Sequence, residues 1–487
     1  MKALRYLLVA LAAATAGFVA GQTARPGLTT SATQRIGSFV ADRADLDARR
    51  RVLAEYPELI GAIGRHGGFG GKFSRHIATN IFSRNHEKAV ADARRLTETL
   101  EMAPRTWLVR MPIVNATVFE TDAGLVLVDT GTGPTGRALA EELARITDAP
   151  LDTVIITHGH VDHAYGLASI LEAGYRPRQI IAQENIVERY RRYIRLRGSI
   201  AGYMSQPAEQ MPSSEKDLVW PTRTFRDRLE LDIGGESFIL VHHPAETDDQ
   251  LYVWVPGRGV LASADYYQGF LPNAGNGKRV ERDVEGWARA LREMAALEPG
   301  LVLPGHGAAM TDPQQAAHRF RLLAEALESI TEQTIAGLNA GLRKDQVPAT
   351  VRLPGHLAGE PTLAEQYVSV ADISKMVVKR YTGWWDDIPS HWTPAPLEEE
   401  AAELTALAGG SPYVAERARA LLTTDIRLAS HLADWVYLAD PDDPVAQRLA
   451  MEVYRARALD DGSHTQETLA YIDHMAAVRQ RQLRSAH

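Results

Sequence analysis

The stretch that most constrains this chain runs from Thr153 to Gly166 and reads TVIITHGHVDHAYG. Residues 158–163, which closely follow a run of β-branched apolar residues, include three histidines and an aspartate. Residues 154–156 predict a buried strand, which would present the following loop at the carboxyl end of a sheet, where open α/β folds place their sites. The pattern predicts a metal site at that strand end.

The spacing of the four side chains indicates two neighbouring ion positions. His158 and His160 are two residues apart, so in an extended loop their rings point the same way and can share one ion. Asp162 and His163 then turn toward a second position. Imidazole and carboxylate ligands without a thiolate suit zinc or a similar divalent ion in a catalytic site that keeps one coordination position open.

This HxHxDH motif resembles the signature of the metallo-β-lactamase superfamily, and three later positions extend the resemblance. Asp265, at the end of LASAD, matches the bridging carboxylate, and His306, in LVLPGHG, matches the last ligand. Asp129, in GLVLVDTG, matches the carboxylate that orients a ligand histidine. The resemblance implies an α/β fold, the αββα sandwich of that superfamily, with the ligand loops along one edge of the sheets.

The segment HHPAETDDQLYVW carries a departure that narrows the family. Most of the superfamily has a histidine where this chain has Glu246. A glutamate here resembles the alkylsulfatases of the sodium dodecyl sulfate hydrolase type, whose two glutamate ligands are nineteen residues apart. Glu246 and Asp265 have the same separation. The alternative is that His242 or His243 is the ligand and Glu246 is a solvated loop residue.

The resemblance implies a complete ligand set for two zinc ions or similar divalent ions. One ion would be held by His158, His160 and Glu246, and the other by Asp162, His163 and His306, with Asp265 as the bridge. Asp162, His163 and Asp265 are then also the predicted catalytic residues. The implied activity is hydrolysis of a sulfate ester, and the sequence leaves open which ester bond breaks.

The segment YYQGFLPNAGNGKRVERDVEGW resembles the family's stretch after its second glutamate. By this resemblance the predicted substrate-binding residues are Asn273, Lys278 or Arg279, and Arg282. An amide and a cation there would supply hydrogen-bond donors and positive charge for a sulfate group. Alternatively, each is an ordinary loop residue.

The N-terminal residues predict export. MKALRYLLVALAAATAGFVAGQT has a basic start, an apolar run and small residues before Gln22, which is typical of a secretory signal over residues 1–21. We therefore expect a periplasmic or secreted protein. If the segment is not cleaved, it would instead anchor the chain to a membrane. Residues 22–105 predict a partly helical arm that packs on the catalytic domain.

The remaining chain divides into a catalytic domain at residues 106–309 and an all-α domain at residues 310–487. The segment YTGWWDDIPSHWTPAP and the later helix-pair pattern resemble the alkylsulfatase dimerisation domain, which implies a homodimer. Without the family, Trp384, Trp385 and Trp392 are typical of a core or an interface. Family members of the detergent-hydrolysing type continue into a sterol-carrier-like domain, and this chain stops before it. We therefore expect short or medium alkyl sulfates as substrates.

Composition excludes some functions and leaves others open. The formal net charge of −8, without a long basic run, argues against nucleic acid as a partner. No cysteine is present, so neither a disulfide nor a thiolate ligand is available. The alternatives to a sulfatase are another hydrolase on the same scaffold, acting on a phosphodiester, lactone or β-lactam, and a non-catalytic dimeric binding protein.

Overall fold

The computed structural model describes residues 46–65, 86–203, 211–280 and 282–485. The predicted signal at residues 1–21 and a large part of the predicted arm lie outside these ranges. The strands are β1 Glu98–Ala103, β2 Thr106–Arg110, β3 Asn115–Thr121, β4 Gly124–Val128, β5 Leu151–Ile155, β6 Gln179–Gln183, β7 Arg223–Phe225, β8 Arg228–Ile233, β9 Glu236–His242, β10 Leu251–Val255, β11 Val260–Ala264 and β12 Leu301–Pro304. The helices before residue 300 are α1 Leu46–Glu55, α2 Glu58–Gly64, α3 His86–Leu96, α4 Gly133–Ile146, α5 Val161–Ala164, α6 Gly166–Glu172, α7 Ile186–Arg195, α8 Arg197–Tyr203 and α9 Val284–Ala296. Those after it are α10 Pro313–Asn339, α11 Gln346–Thr350, α12 Val370–Tyr381, α13 Leu397–Leu407, α14 Ser411–Leu421, α15 Ile426–Ala439, α16 Pro444–Leu459 and α17 Thr465–Ser485.

The strands form two sheets. The first is seven-stranded with the order β1-β2-β3-β4-β5-β6-β7, antiparallel through β4 and parallel from β4 to β7. The second is five-stranded with the order β12-β11-β10-β9-β8, antiparallel except for the β11–β12 pair. In the parallel parts, strand ends from distant sequence positions meet at one edge.

The sheets pack face to face because alternate side chains of each strand point to opposite faces. In β4, Val126 and Val128 face the second sheet, whereas Leu125 and Leu127 face helices. One apolar layer, with Phe119 and Phe238 in edge-to-face contact at 5.5 Å, fills the space between the sheets. Helices α4, α6 and α7 cover the outer face of the first sheet, and α9, α10 and α12 cover that of the second. This is the expected αββα sandwich followed by a helical region, so the predicted fold class is confirmed.

A second hydrophobic core lies in the helical region. It combines α1 and α2 with helices α14 to α17. Helices α10 and α12, in contrast, share the core of the second sheet. The sequence-based boundary between residues 309 and 310 therefore does not separate two cores, because the sheet needs helices beyond it to cover its outer face.

The arm also divides in a way that its sequence did not indicate. Helix α3 lies against α4 of the catalytic domain, where Arg94 pairs with Glu141. Helices α1 and α2 instead pack against α16 and α17, and Arg49 of α1 lies 2.7 Å from Asp473 of α17. The expectation that the arm packs on the catalytic domain is therefore right for α3 and wrong for α1 and α2.

The length and hydropathy of the helices bear on whether the chain could cross a membrane. Within the ranges that the structure describes, no helix is both long and apolar enough to span a bilayer.

Candidate metal centre

Two groups of possible metal ligands lie side by side at the edge where the strand ends meet. In the first, ligand atoms of His158, His160 and Glu246 all lie within 4.8 Å of one another. The His158 Nε2 and His160 Nδ1 atoms are 2.9 Å apart. Both histidines come from the loop after β5, whereas Glu246 comes from the loop after β9 in the other sheet. The group is therefore made by packing the two sheets together.

The second group consists of Asp162, His163 and His306, whose ligand atoms also lie within 4.8 Å of one another. The Nε2 atoms of His163 and His306 are 3.3 Å apart, and Asp162 Oδ2 lies 3.5 Å from His306 Nε2. Asp162 and His163 lie on the short helix α5, and His306 follows β12. The structure thus brings together the two sets of three that the sequence predicted.

Asp265, which follows β11, lies between the two groups. Its Oδ1 is 3.3 Å from His163 Nε2, and its Oδ2 is 3.1 Å from His306 Nε2 and 4.0 Å from His158 Nε2. A third possible ligand group combines Asp265 with His158 and His163, one histidine from each set. Asp265 is thus the carboxylate that lies within reach of histidines from both groups.

Asp129, directly after β4, orients the loop that carries the histidines. It accepts a hydrogen bond from the Thr157 backbone at 2.8 Å and lies 2.7 Å from His163 Nδ1. The ring therefore turns its Nε2 toward Asp265. Asp129 and Ala264, the residue before Asp265, both have positive φ angles, of 65° and 47°. Such backbone strain in residues other than glycine is concentrated at functional sites.

The choice between Glu246 and the preceding histidines follows from where their side chains lie. His243 Nε2 is 2.9 Å from Glu293 on α9, and His242 Nδ1 is 2.7 Å from the Gln250 carbonyl. Neither histidine belongs to a possible ligand group among the described residues. Glu246 is buried and does belong to one.

Comparison with known proteins agrees with this geometry. Residues 110–306 match the metallo-β-lactamase superfamily, and residues 343–480 match the alkyl sulfatase dimerisation family. The chain carries a metallo-β-lactamase domain followed by an alkylsulfatase dimerisation domain. The resemblance seen in the sequence is therefore confirmed.

Among its relatives, the chain is 29% identical to a linear primary-alkylsulfatase of Pseudomonas sp. (strain ATCC 19151) over 364 residues, which cover 69% of each chain. It is 23% identical to an alkyl/aryl-sulfatase of Saccharomyces cerevisiae, over 70% of this chain and 58% of that one. The solved structure of a stereoselective inverting sec-alkylsulfatase from Pseudomonas sp. has a TM-score of 0.68 at 19% identity, covering 86% of this chain and 70% of that one. That structure shows a shared fold.

The four predicted substrate-binding residues of the metallo-β-lactamase domain occupy different surroundings. Asn273 and Arg282 are buried and contact Glu246. Lys278 extends away toward α17, where its Nζ lies 3.6 Å from Asp473 Oδ2. Arg279 is half-buried, and its charge contributes to lowering the pKa of His160, although less than desolvation does. Of the two cations that the sequence left open, Arg279 is therefore the one near the ligand groups.

Other residues support the site without having been predicted from the sequence. Asp249 is buried, and its Oδ2 accepts a hydrogen bond of 2.7 Å from the backbone of Gly159, between the first two histidines. Its Oδ1 lies 2.7 Å from Nε of the buried Arg189 on α7. His306 is held from the other side, with Nδ1 2.7 Å from the Ile113 carbonyl. The TDDQ sequence alone could have pointed to Asp249, but only the fold shows what it contacts.

Burial and the nearby carboxylates shift the pKa values of the histidines in opposite directions in the two ligand groups. Desolvation, with positive charge nearby, lowers the pKa values of His158 and His160 well below the usual range, so both rings are neutral. Burial also lowers the pKa of His163, but Asp265 and Asp129 outweigh it and raise the value well above normal. Burial opposes the charge of Asp265, but His306 and His163 hold its pKa well below normal. Asp265 is therefore ionised at neutral pH.

This donor set fits divalent metal ions. His158 and His160 as neutral imidazoles and Asp265 as an ionised carboxylate already have the ligand forms that such ions require. His163 and His306, whose pKa values are raised by nearby carboxylates, would in contrast release a proton on binding an ion. Glu246 Oε2 and Asp265 Oδ1 are both buried, and neither accepts a well-aligned hydrogen bond from the described residues, although Asp265 Oδ1 lies 3.3 Å from His163 Nε2. Buried carboxylate oxygens without a donor are costly, and a cation in either ligand group would satisfy them.

Proposed function

We propose that this chain is a metal-dependent hydrolase of sulfate esters that acts on alkyl sulfates. The observation that carries the proposal is Glu246, which completes the first ligand group at the position where a histidine would be expected of the wider superfamily. Alkylsulfatase relatives align with the chain over about seven tenths of its length. The fold alone would leave the substrate open, because one scaffold supports many activities.

The proposed cofactor is a pair of zinc ions or similar divalent ions. His158, His160 and Glu246 would hold one, Asp162, His163 and His306 the other, and Asp265 would lie between them. Such ions supply Lewis acidity, which makes water a stronger nucleophile at neutral pH and stabilises negative charge on ester oxygens. Asp129 fixes the tautomer of His163 so that Nε2 faces the centre.

The proposed contribution of the protein to substrate binding is positive charge at the rim of the centre. Arg279 is the half-buried cation whose charge is close enough to influence His160. A guanidinium there would pair with the sulfate oxygens through two hydrogen bonds. The preference for short or medium alkyl chains remains a prediction from the sequence.

Metal analysis and turnover should be measured on one preparation. We expect two divalent ions per chain, turnover of hexyl or octyl sulfate, and loss of turnover on chelation. Glu246→Ala should lower metal affinity as well as rate. His243→Ala is the matched control three positions away and should retain both ions, because its side chain contacts Glu293 instead.

Three results would contradict the proposal. A stoichiometry of one ion at saturating metal would refute the two-ion centre, and loss of metal in His243→Ala but not in Glu246→Ala would move the ligand. Turnover of a phosphodiester, a lactone or a β-lactam, with no turnover of any sulfate ester, would assign the chain to another hydrolase class.

We also propose that the protein is exported and forms a homodimer. The basic residues Lys2 and Arg5, followed by an apolar run, support export to the periplasm or beyond the cell. The match of residues 343–480 to a dimerisation family supports the homodimer. The N-terminal residue of the protein recovered from the cell envelope would distinguish a cleaved signal from a retained anchor.

A further inference from the structure

Glu246 is held at nearly every polar atom. Its backbone nitrogen donates to Gln250 Oε1 at 2.9 Å, and its carbonyl oxygen accepts a short hydrogen bond from Arg282 Nη1. Its side-chain Oε1 accepts from Asn273 Nδ2 at 2.7 Å and lies 2.9 Å from Arg282 Nη1. The remaining oxygen, Oε2, is buried and has no partner within the described chain. One oxygen thus has a hydrogen-bond donor and a cation beside it, whereas the other accepts no hydrogen bond.

This asymmetry determines how the carboxylate can act as a ligand. A carboxylate can offer one or both oxygens to a metal ion. The hydrogen bond from Asn273 and the nearby charge of Arg282 reduce the ability of Oε1 to bind a second positive charge. They also prevent rotation of the carboxylate. Oε2 is therefore the atom presented to the group that contains His158 and His160.

The two donors are rigidly placed by the loop that follows β11. Arg282 has a side-chain exposure of only 1%, and the next residue, Asp283, caps α9. The Asp283 backbone nitrogen also donates to the Ala245 carbonyl at 3.1 Å, which ties this loop to the segment that carries Glu246. Asn273 is buried as well. Both side chains are therefore fixed beside Glu246, while Arg282 Nε and Nη2 have no hydrogen-bond partner within the described chain.

We propose that Asn273 and Arg282 are positioning residues that hold Glu246 as a one-oxygen metal ligand. This inference rests on the proposed two-ion centre. It assigns the two residues a different role from the substrate contact that the family resemblance implied, and it leaves Arg279 as the cation for the sulfate group.

The test uses the full-length protein and measures zinc binding at each site. Asn273→Ala and Arg282→Lys are titrated with zinc against a competing chelator, and bound metal is counted by mass spectrometry. We expect affinity for one of the two ions to fall by about 10–100-fold, the usual effect of losing a partner of a metal ligand. Affinity for the other ion should be unchanged, which a general loss of stability would not produce.

Two variants serve as controls. Arg292→Gln removes an exposed arginine of α9 that pairs with Glu328, and it should bind both ions as the wild type does. Arg279→Gln should also keep both ions, but its KM for octyl sulfate should rise. Thermal unfolding of the metal-free forms shows whether each variant is folded, and if Arg282→Lys is not folded, Asn273→Ala decides the question.

Two outcomes separate this inference from the proposed function. If the wild type binds two zinc ions and folded Asn273→Ala binds both with unchanged affinity, the positioning role is refuted and the two-ion centre stands. If the wild type itself binds fewer than two ions, the proposed centre fails, and the inference fails with it.

Discussion

At the scale of single residues, the centre depends on a position that has no side chain. A Cβ atom at Gly305 would lie 2.4 Å from Asp265 Oδ1 and 3.0 Å from His163 Cε1. The backbone has little room to yield, because the Gly305 nitrogen donates to Ala264 at 2.9 Å and its oxygen accepts from Asn115 at 2.7 Å. Glycine is needed at position 305 because the backbone passes so close to Asp265 and His163 that a Cβ atom does not fit.

We therefore predict that Gly305→Ala displaces the Asp265 carboxylate. Metal affinity should fall by about 10–100-fold, as for other changes that misplace a ligand, and kcat/KM should fall with it at limiting zinc. Gly300→Ala is the matched control at the other end of β12, because its added Cβ would be 3.6 Å from the nearest atom. Equal zinc affinity in the two variants would contradict the argument.

The grouping of the candidate ligands could largely be predicted from the sequence, whereas their supporting contacts could not. His158, His160, Asp162 and His163 lie within one short motif, so their spacing reveals their chemistry. The contact between Asp249 and Gly159 joins positions ninety residues apart and depends on how two sheets pack. The sequence likewise did not show which of Lys278 and Arg279 lies near the ligand groups. The directions of adjacent loop side chains depend on the path of the backbone, which the sequence does not give.

At the scale of elements, strand identity was predictable and helix partners were not. The apolar run LYVWV is typical of a strand, and the structure has β10 over the same residues. The spacing of Phe320, Leu323 and Leu327 is typical of a helix, and these residues lie in α10. Periodicity shows that such a helix has an apolar face but not which core that face enters, so the sequence assigned α10 to a separate domain.

Helix α12 and the residue directly before α17 are joined by a partly buried polar contact between Asp372 and His464. His464 Nε2 lies 2.7 Å from Asp372 Oδ2, and Lys375 Nζ lies 3.0 Å from Asp372 Oδ1. Burial tends to raise the pKa of Asp372, but the hydrogen bond from His464, the charges of Lys375 and His464 and the Ser369 backbone outweigh it. The pKa of the Asp372 carboxyl is therefore held well below its usual range.

We predict that this contact stabilises the fold at neutral pH and is lost in acid. Because the folded pKa lies below the unfolded value of about 4, the stabilisation is complete above that value and declines as the pH falls through the folded pKa. In chelator-treated protein, the difference in unfolding free energy between wild type and Asp372→Asn should shrink as the pH falls below about 4. A difference that stays constant down to pH 3 would show that the carboxylate charge is not responsible.

At the scale of the whole molecule, apolar exposure is concentrated in one region. Among the described residues, large exposed apolar side chains cluster between residues 381 and 428, where Trp384 is 74% exposed, Leu407 76% and Tyr413 66%. Trp384 and Trp392 also contact each other, with ring centroids 5.5 Å apart. Contiguous exposed apolar surface, such as these two rings form, often marks an interaction site. This region lies within the match to the dimerisation family.

We predict that these side chains form the homodimer interface. Aromatic residues at the centre of an interface commonly contribute 2 kcal/mol or more, so Trp384→Glu and Tyr413→Glu should each weaken association by about 30-fold or more. Light scattering during gel filtration, over a range of protein concentrations, would show this as a shift from dimer to monomer. Leu196→Glu is the matched control, because Leu196 is 46% exposed but follows α7 in the catalytic domain. A wild type that is monomeric at micromolar concentration would refute the prediction, and so would equal dissociation of the Leu196→Glu variant.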